Sequence, residues 1–513
     1  MRPPAGEEAN APKATKLPAM ERLRMLDAEF LHLEDERQPM HIAGLCIFEG
    51  HPPTYEEVRR LFCAKLGRIP RYRRRIRFLP LELGRPVWVD DPQFDLDYHV
   101  RRTALPAPGD DAALCALMGR LMSQVLDRSR PLWEAWIVEG LEGGRWALVS
   151  KVHHAMVDGV SGVDLTGVLL DAEPDCPLPA PAPWAPEPEP SGVAAVLDAW
   201  RGLADDTRRI ARAAAAMVRH PTTGLRTLRD SGAGLAIFAR RLLNLRMGAL
   251  QGNIGKHRAY AHVSASLADV QAIRKALGGT VNDVVLAAIT GGYRALLEAR
   301  GGHPETARVR SLVPVSTRAP DEHGLLDNRV SALLCDLPVH VADPGARLRA
   351  IRAEMERLKG SHMAEAGAQF VDLGALVPPF VVGPITHLVM RIMHRVPQRM
   401  FGTVTTNIPG PRTPLYCLGR KMLEWYPYVP IGQGLRVGTA ILSYAGRLGF
   451  GITSDYDTIP DASVLAQGIV QGLAELLERA QRQANGEASV HQPQPGPAGS
   501  NAGRAGRASS TPG

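Results

Sequence analysis

The sequence predicts an α/β protein built from two domains and a connecting segment. The chain has 513 residues, which is more than a single hydrophobic core normally supports. Residues 146–152 are apolar and β-branched and predict a strand, whereas residues 159–171 place apolar side chains at 3.6-residue spacing and predict a helix. Proline recurs almost every second residue from 177 to 190, which predicts an extended linker between the domains.

These features divide the chain into five segments. Residues 1–19 contain four prolines and mixed charges but no apolar run of the kind a secretory signal needs, so they predict a disordered arm. The residues near the carboxyl end are rich in Gly, Ala, Pro and Ser and predict a disordered tail. The predicted segments are an arm at 1–19, a first domain at 20–175, a proline-rich and basic helical connector at 176–255, a second domain at 256–484 and a tail at 485–513.

The composition is that of a globular protein able to bury sizeable cores. Hydrophobic residues make up 45% of the chain and charged residues 22%. The six cysteines show no paired spacing, which favours a reduced, cytoplasmic setting over a disulfide framework. The net charge of +7 comes without a recognisable nucleic-acid-binding module, so nucleic acid is not a predicted partner.

Most of the excess positive charge is concentrated in the connector. Residues 197–250 contain ten Arg and four Asp, and their net charge of +6 nearly equals the +7 of the whole chain. Arginines interleaved with apolar residues are typical of a helix on an anionic membrane surface, and equally of an inter-domain helix with solvated arginines. Both interpretations stay open.

Residues 373–390 come nearest to a membrane span, because eighteen residues pass without a formally charged side chain. Crossing a bilayer takes about 20 residues of regular helix, and three prolines interrupt this stretch. It therefore predicts either a lipid-facing or tunnel-mouth segment or a pair of apolar core helices. Together with the basic connector, it leads to the hypothesis that the protein is cytoplasmic and attaches peripherally to a membrane or lipid-droplet surface.

The most informative motif is HHAMVDG at residues 153–159, which lies at the predicted strand-to-helix junction. An imidazole with an ordinary pKa of about 6.5 can take a hydroxyl proton while that oxygen attacks an activated carbonyl. Successive side chains of a strand point to opposite faces, so one of His153 and His154 is predicted to be functional and the other structural. Gly159 would let the backbone approach a bound substrate closely. The motif thus predicts an acyltransferase with a histidine base.

The motif also allows other interpretations. A histidine in a core is more often a hydrogen-bonded structural residue than a base, and this applies most to His153. No Cys-x-x-Cys or HExxH element lies in the chain, so no metal site is predicted. Asp158 is either a partner of the imidazole or a salt-bridged brace for the loop. Its position four residues beyond His154, across a turn, favours the brace.

Additional blocks, in the same order along the chain, resemble one known family. They are Leu26-Asp27-Ala28-Glu29-Phe30-Leu31, Pro39-Met40-His41, Ile47-Phe48-Glu49-Gly50, Pro131-Leu132-Trp133, Asn282-Asp283-Val284-Val285-Leu286-Ala287, Val313-Pro314-Val315-Ser316-Thr317-Arg318, Thr406-Asn407-Ile408-Pro409-Gly410-Pro411, Ser443-Tyr444 and Asp455. With the histidine motif they resemble the bacterial wax ester synthase/acyl-CoA:diacylglycerol acyltransferases across residues 20–480. The histidine motif alone is shared with condensation domains, whereas the ordered set is more specific.

This resemblance implies a fold of two pseudo-symmetric domains of the chloramphenicol-acetyltransferase type, with a tunnel between them. It implies His154 as general base, long-chain acyl-CoA entering one mouth and diacylglycerol or a fatty alcohol the other. No covalent acyl-enzyme and no cofactor are implied, since acyl-CoA is a substrate. It further implies that Asp158 forms a salt bridge with an arginine, for which Arg318 and Arg329 are the candidates.

Two of the resembling blocks are candidates for supporting or substrate-binding positions. Pro131, Leu132 and Trp133 form either a packed turn that supports the tunnel or a contact with substrate. Asn282 is a candidate supporting polar group. Thr280-Val281-Asn282-Asp283 before an apolar run is equally a capping box, which would make this block a helix start.

Three functions are compatible with the sequence. The first is synthesis of triacylglycerol or wax ester from acyl-CoA. The second is a different CoA- or carrier-dependent acyl transfer on the same fold, which the ordered family blocks disfavour. The third is a non-catalytic lipid-droplet binding protein, which the intact histidine motif disfavours. Acceptor choice stays open, and an oligomer is compatible with the basic and apolar segments.

Overall fold

The computed structural model of the chain describes residues 20–79, 85–156, 165–189, 191, 208, 212, 248–316, 330–360, 400–432 and 434–490. Several predicted features lie outside these residues, namely the arm at 1–19, Asp158, Gly159, Arg318, Arg329, the stretch at 373–390 and the tail beyond residue 490. Of the arginine-rich residues at 197–250, the description covers 208, 212 and 248–250.

The first half of the described chain alternates strands with helices. Its strands are β1 Glu21–Arg22, β2 His41–Phe48, β3 Arg74–Arg77, β4 Val87–Asp90, β5 Val100–Ala104, β6 Trp133–Leu141 and β7 Arg145–His153. Its helices are α1 Met25–Leu33, α2 Tyr55–Lys65, α3 Leu96–His99, α4 Asp111–Ser123 and α5 Leu165–Leu169. Short 3₁₀ turns cover Leu66–Arg68, Pro70–Arg73 and His154–Met156.

The second half has longer helices. Its strands are β8 Arg258–Ser266, β9 Val309–Ser316, β10 Val330–Leu337, β11 Thr403–Ile408, β12 Tyr416–Cys417, β13 Arg420–Tyr428, β14 Val437–Tyr444 and β15 Arg447–Asp455. Its helices are α6 Leu267–Leu277, α7 Val281–Ala299, α8 Pro344–Gly360 and α9 Ala462–Val490.

Local patterns at the motif are reproduced in part. The predicted strand at 146–152 is confirmed as β7, which is one residue longer at each end. Of the helix predicted at 159–171, the structure describes residues 165–171. Within them α5 covers Leu165–Leu169 and ends before Asp171. Asp171 instead exchanges backbone hydrogen bonds with Tyr416 and forms a 2.7 Å ion pair with Lys65. A long-range contact therefore overrides the helical spacing at this end.

Four strands of each six-stranded sheet share one topology, which confirms the predicted pseudo-symmetric α/β fold. The strand orders of the two sheets are β12-β13-β2-β7-β6-β5 and β10-β9-β11-β14-β15-β8. Along β2-β7-β6-β5 the successive pairings are antiparallel, antiparallel and parallel. Along β8-β15-β14-β11 they follow the same pattern. The carboxyl ends of β7 and β15 therefore occupy corresponding places in the two sheets.

The two halves also exchange chain. Strand β13 comes from the segment assigned by sequence to the second domain, yet it pairs with β2 at the side of the first sheet. Glycine makes this crossing possible, because a Cβ on Gly451 of β15 would collide with the carbonyl oxygen of Pro427 in β13. The first sheet is thus completed by residues far along the chain, which hold the two halves together.

Each sheet is covered by its own apolar residues. In the first sheet, α4 packs on one face through residues such as Leu117 and Leu121, next to Tyr260 and Tyr426. Leu61 of α2 belongs to the cluster on the other face. Helices α7 and α9 pack together over the second sheet. None of the six cysteines, all of which lie in the described residues, forms a disulfide bond.

The proline-rich segment packs against the first half. Its described residues form neither helix nor strand, in agreement with the predicted extended chain. Glu189 forms ion pairs with Arg75 and Arg77 of β3, at 2.9 and 3.0 Å. The Arg73 guanidinium lies 5.0 Å from the centre of the Trp184 ring, within the range of a cation–π contact. The segment is therefore fixed to an arginine-rich surface.

The last helix extends into the segment predicted to be a disordered tail. Helix α9 continues to Val490, so residues 485–490 are helical although the tail was predicted to begin at 485. Within the part of the chain that the structure describes, no helix is both long and apolar enough to cross a membrane.

Candidate active site at the end of strand β7

The backbone at the end of β7 is fixed by two neighbouring segments. His153 is the last residue of the strand, and its N–H donates to Leu132 O at 2.9 Å. His154 begins the following 3₁₀ turn, and its N–H donates to Met40 O at 2.8 Å. These two hydrogen bonds therefore fix the backbone of both histidines at the end of the strand.

The His153 side chain is fully buried and its ring is hydrogen-bonded. Its Nδ1 accepts the Ala155 N–H at 3.0 Å. That bond assigns the proton of the neutral ring to Nε2, which lies 3.4 Å from Oε1 of Glu34. His153 therefore has the surroundings of a structural residue that supports the loop.

His154 has different surroundings. Its ring stacks on Phe30 with 3.9 Å between centroids and 23° between planes. Among the described residues, its buried Nδ1 has no hydrogen-bond partner. Burial lowers the pKa of His154 to about 4, instead of leaving it near the ordinary value that the sequence suggested. At neutral pH the ring is therefore uncharged, which is the form that a general base requires.

Sequence reasoning missed Glu34, the carboxylate that organises this region. Its Oε1 lies 3.0 Å from Nε2 of His41 and accepts the Met40 N–H at 3.1 Å. Its Oε2 accepts two hydrogen bonds from Arg128, at 2.9 and 3.2 Å. Burial raises the pKa of the Glu34 carboxyl, but hydrogen bonds from His153 and His41 outweigh it and hold that pKa well below its ordinary value.

A sequence signal for Glu34 was present but weak. Glu34 follows Phe30 by four residues, which places the two side chains on one face where a helix ends. It also lies between two of the blocks that carry the family resemblance. A single carboxylate at the end of a predicted helix is ordinarily solvent-exposed, so only the folded chain identifies this one as buried.

Pro131, Leu132 and Trp133 form a packed turn at the start of β6. All three are buried. The Trp133 indole N–H donates to Tyr72 O at 2.8 Å, and its ring stacks on His99 at 4.5 Å between centroids. Together with the Leu132 carbonyl that receives the His153 N–H, these contacts give the block a supporting role beneath the motif.

Asn282 and Asp283 lie at the start of α7. The Asp283 N–H donates to Thr280 Oγ1 at 3.2 Å, and the Thr280 N–H donates to Asp283 Oδ2 at 2.8 Å. These reciprocal bonds form the capping box that the sequence allowed. The Asn282 side chain is not part of the box, and its Oδ1 lies 3.5 Å from Nδ2 of Asn407 at the end of β11.

The structure does not bring all the predicted site residues together. Within the described ranges, neither a hydrogen bond nor a ring contact joins Asn282 to His154. Asp158, Gly159, Arg318 and Arg329 lie outside those ranges. The candidate site is therefore described from the side of α1, β2 and β7.

A cavity of about 1290 Å³ lies between the two halves, along α4, β8 and the start of α9. Its walls include Cys115, Arg120, Lys256 and His262. His154 is not among its lining residues. This cavity is therefore separate from the contacts that hold the candidate base.

Comparison with known proteins identifies related sequences. The family model described as the wax ester synthase/diacylglycerol acyltransferase catalytic domain matches residues 23–285, and the C-terminal domain model of that family matches residues 326–477. A probable diacylglycerol O-acyltransferase of Mycobacterium tuberculosis is 36% identical over 467 residues, covering 90% of this chain and 97% of that protein. A second probable diacylglycerol O-acyltransferase of the same organism is 33% identical and covers 88% of this chain and 97% of its own length.

Solved structures show the same fold. The wax ester synthase/diacylglycerol acyltransferase of Marinobacter aquaeolei superimposes with a TM-score of 0.63 at 26% identity, covering 90% of this chain and 100% of that one. The trichothecene 15-O-acetyltransferase of Fusarium sporotrichioides matches with a TM-score of 0.54 at 10% identity, over 90% of this chain and 95% of that one. At that identity the second match shows the shared fold alone.

Proposed function

Since the chain belongs to the wax ester synthase/diacylglycerol acyltransferase family, we propose that it moves a long-chain acyl group from acyl-CoA to a hydroxyl group. The acceptor is diacylglycerol, which gives triacylglycerol, or a long-chain alcohol, which gives a wax ester. His154 is the general base. The observation that carries this assignment is a neutral imidazole fixed at the end of β7, with Nδ1 unbonded among the described residues.

The proposed reaction proceeds without a covalent acyl-enzyme. The acceptor hydroxyl gives its proton to His154 while its oxygen forms a bond to the thioester carbon. The tetrahedral intermediate collapses, the carbon–sulfur bond breaks, and the electron pair leaves with the CoA thiolate. The thiolate then takes the proton from His154, so the products are the ester and free CoA. A low imidazole pKa favours this return of the proton.

The other motif residues take supporting roles in this proposal. His153 orients the loop through its bonds to Ala155 and Glu34. Asp158 braces the loop, with Arg318 or Arg329 as its partner, and Gly159 leaves room for substrate. No cofactor or metal is required, because acyl-CoA supplies the activated carbonyl.

The test supplies radiolabelled palmitoyl-CoA with diacylglycerol or hexadecanol to the purified full chain and separates the lipid products. We expect His154→Ala to reduce the rate by about 10²–10⁴-fold, the usual contribution of a positioned acid or base. His303→Ala is the matched control, because His303 is exposed and its side chain lies outside the site. A His154→Ala rate equal to that of wild type would contradict the assigned base. A folded wild type inactive with both acceptors would contradict the proposed substrates.

The proposed location is the cytoplasmic side of a membrane or lipid-droplet surface, where insoluble acceptors and products accumulate. The arginine-rich connector supports it by composition, since basic amphipathic segments bind anionic lipid. Sedimentation with anionic liposomes at low salt tests this part of the proposal. Protein that stays in the supernatant would contradict it.

A further inference from the structure

The end of helix α1 presents two side chains to the histidine motif. Phe30 and Glu34 are four residues apart, so they lie on the same side of the chain where the helix ends. The Glu34 N–H donates to Phe30 O at 3.2 Å, which fixes the geometry between the two residues. We infer that Phe30 and Glu34 act as a clamp that positions His154, and that Glu34 is a positioning residue for the reaction.

Phe30 holds the imidazole directly. The two rings are stacked, with 3.9 Å between centroids, so the phenyl face covers one side of the imidazole. A stacked neighbour restricts rotation of the imidazole about its side-chain bonds. It also excludes water from that face, in keeping with the low pKa of His154.

Glu34 holds the His154 backbone through Met40. Glu34 Oε1 accepts the Met40 N–H at 3.1 Å, and the carbonyl of Met40 accepts the His154 N–H at 2.8 Å. Met40, the residue that precedes β2, is therefore fixed through its N–H by the carboxylate and through its carbonyl by the candidate base. Movement of this carboxylate would shift the point from which the His154 side chain projects.

A second path from Glu34 runs through the preceding residue. Glu34 Oε1 faces Nε2 of His153, while Nδ1 of the same ring accepts the Ala155 N–H. The residues on both sides of His154 are thus tied to one buried carboxylate. The inference rests on the proposed function, because it requires His154 to be the base.

Glu34 is itself well fixed. Its side chain is 3% exposed, and Arg128 donates to Oε2 twice and to Leu31 O at 2.8 Å. The titratable groups that face the carboxylate are His41 from β2, His153 from β7 and Arg128 from the loop after α4. A buried carboxylate that accepts hydrogen bonds from Met40 and Arg128, with Nε2 of His41 3.0 Å away, has a defined position and orientation.

The test measures kcat and KM for palmitoyl-CoA with the full chain. We expect Glu34→Ala to lower kcat by about 100-fold with KM within twofold of wild type, because a shift of about 1 Å in a catalytic group has that effect on rate but not on substrate binding. Glu34→Gln keeps the shape of the side chain and one acceptor oxygen, so its kcat should be about tenfold higher than that of Glu34→Ala. Phe30→Leu removes the stacked ring and should lower kcat about tenfold.

Matched controls are the same substitutions two residues further along. Glu36→Ala and Glu36→Gln remove a carboxylate that is 75% exposed and paired with Lys256, so both should retain the wild-type kcat. Circular dichroism at the assay temperature verifies that each variant is folded. If Glu34→Ala does not fold, Glu34→Gln and Phe30→Leu test the inference by the same criterion, a fall in kcat with an unchanged KM.

The outcomes separate this inference from the proposed function. A folded Glu34→Ala variant with wild-type kcat, or one in which KM rises as much as kcat falls, would overturn the inference. In that case a loss of activity in His154→Ala would still leave the proposed base in place. Full activity in His154→Ala would instead overturn the proposed base, and with it the clamp.

Discussion

The hairpins β6–β7 and β14–β15 occupy corresponding positions in the two sheets, but their carboxyl ends carry different residues. In the first sheet His153 is paired in register with His41, and in the second Asp455 is paired with Arg258. The residue after each strand also forms an equivalent backbone hydrogen bond. The His154 N–H donates to Met40 O, and the Tyr456 N–H donates to His257 O. His154 and Tyr456 are therefore structural counterparts.

The second hairpin end is fully hydrogen-bonded. The carboxylate of Asp455 accepts the Gly255 N–H at 2.7 Å and the Thr458 N–H at 3.0 Å. Arg258 lies 3.8 Å from it, and both side chains are buried. Tyr456, the counterpart of the candidate base, is 56% exposed. This end combines opposite charges into a buried junction, and the residue that corresponds to the candidate base is exposed.

The first hairpin end has a different design. A carboxylate is again present, but it comes from α1 and is surrounded by imidazoles and Arg128. The residue after the strand is partly buried, stacks on Phe30 and keeps a neutral ring. One topology thus supports a structural junction in one half and a candidate base in the other. The difference lies in which side chains the topology brings together.

The largest effect is expected when the charge pair of the second hairpin is removed. Asp455→Ala should lower the free energy of unfolding by about 3–5 kcal/mol, because Arg258 is left buried without its partner. The kcat of the folded fraction should stay within twofold of wild type. Urea unfolding measures the change, with the exposed Asp457→Ala as control. A loss below 1 kcal/mol would mean that the two hairpin ends do not differ as described.

Acid should destabilise the first hairpin end. Burial lowers the pKa values of His41 and His154 to about 4, from an ordinary value of 6.5. Between these values the unfolded chain binds protons that the folded chain does not, so the free energy of unfolding falls as the pH drops from 6.5 to 4. His154→Ala should lessen this slope by about 1.4 kcal/mol per pH unit.

The control for the acid experiment is His303→Ala, whose exposed side chain should leave the slope unchanged. Urea unfolding at several pH values between 4 and 7 gives both slopes. If His154→Ala and His303→Ala had equal slopes, the His154 ring would titrate alike in the folded and unfolded chains.

The same lowered pKa sets the pH dependence of the reaction. Since His154 must be unprotonated to act as a base, kcat/KM should change less than twofold between pH 6 and 8 and fall only towards the pKa of about 4. The rate of ester formation from palmitoyl-CoA across this range is the measurement. An acid limb centred near pH 6.5 would show that the base lies in water.

The smallest effect is expected at the start of α7, where a substitution can distinguish helix capping from substrate binding. Thr280→Ala removes one side of the capping box and should lower the free energy of unfolding by about 1 kcal/mol, with kcat unchanged. Thr306→Ala, in an exposed loop, is the control. A fall in kcat without a loss of stability would instead place the start of α7 in contact with substrate.

Much of the fold could be predicted from local pattern. The β-branched run before His153 predicts β7, and Thr280 followed by Asp283 predicts the start of α7, because strand propensity and capping act over a few residues. The end of α5 could not be predicted in this way. Asp171 leaves the helical pattern to pair with Lys65 and Tyr416, which are distant in sequence.

The candidate site also contains residues that could be predicted from local sequence and residues that could not. His154 and its supporting block at Pro131–Trp133 could be found from residue types and order, because the chemistry requires an imidazole at that motif. Glu34 could not, since its burial depends on His41, His153 and Arg128 converging from three other segments. Local sequence also suggested an ordinary imidazole pKa, whereas burial against Phe30 lowers it.

The sequence by itself determined the family and the α/β class and located the motif that contains the proposed base, because these depend on short ordered blocks and on periodicities of 2 and 3.6 residues. Only the tertiary structure decided which strands complete the first sheet, which carboxylate holds the motif and which protonation state His154 keeps. Those properties depend on burial and on contacts between distant segments. The Glu34 carboxylate and the Phe30 ring acquire their proposed roles only once the chain is folded.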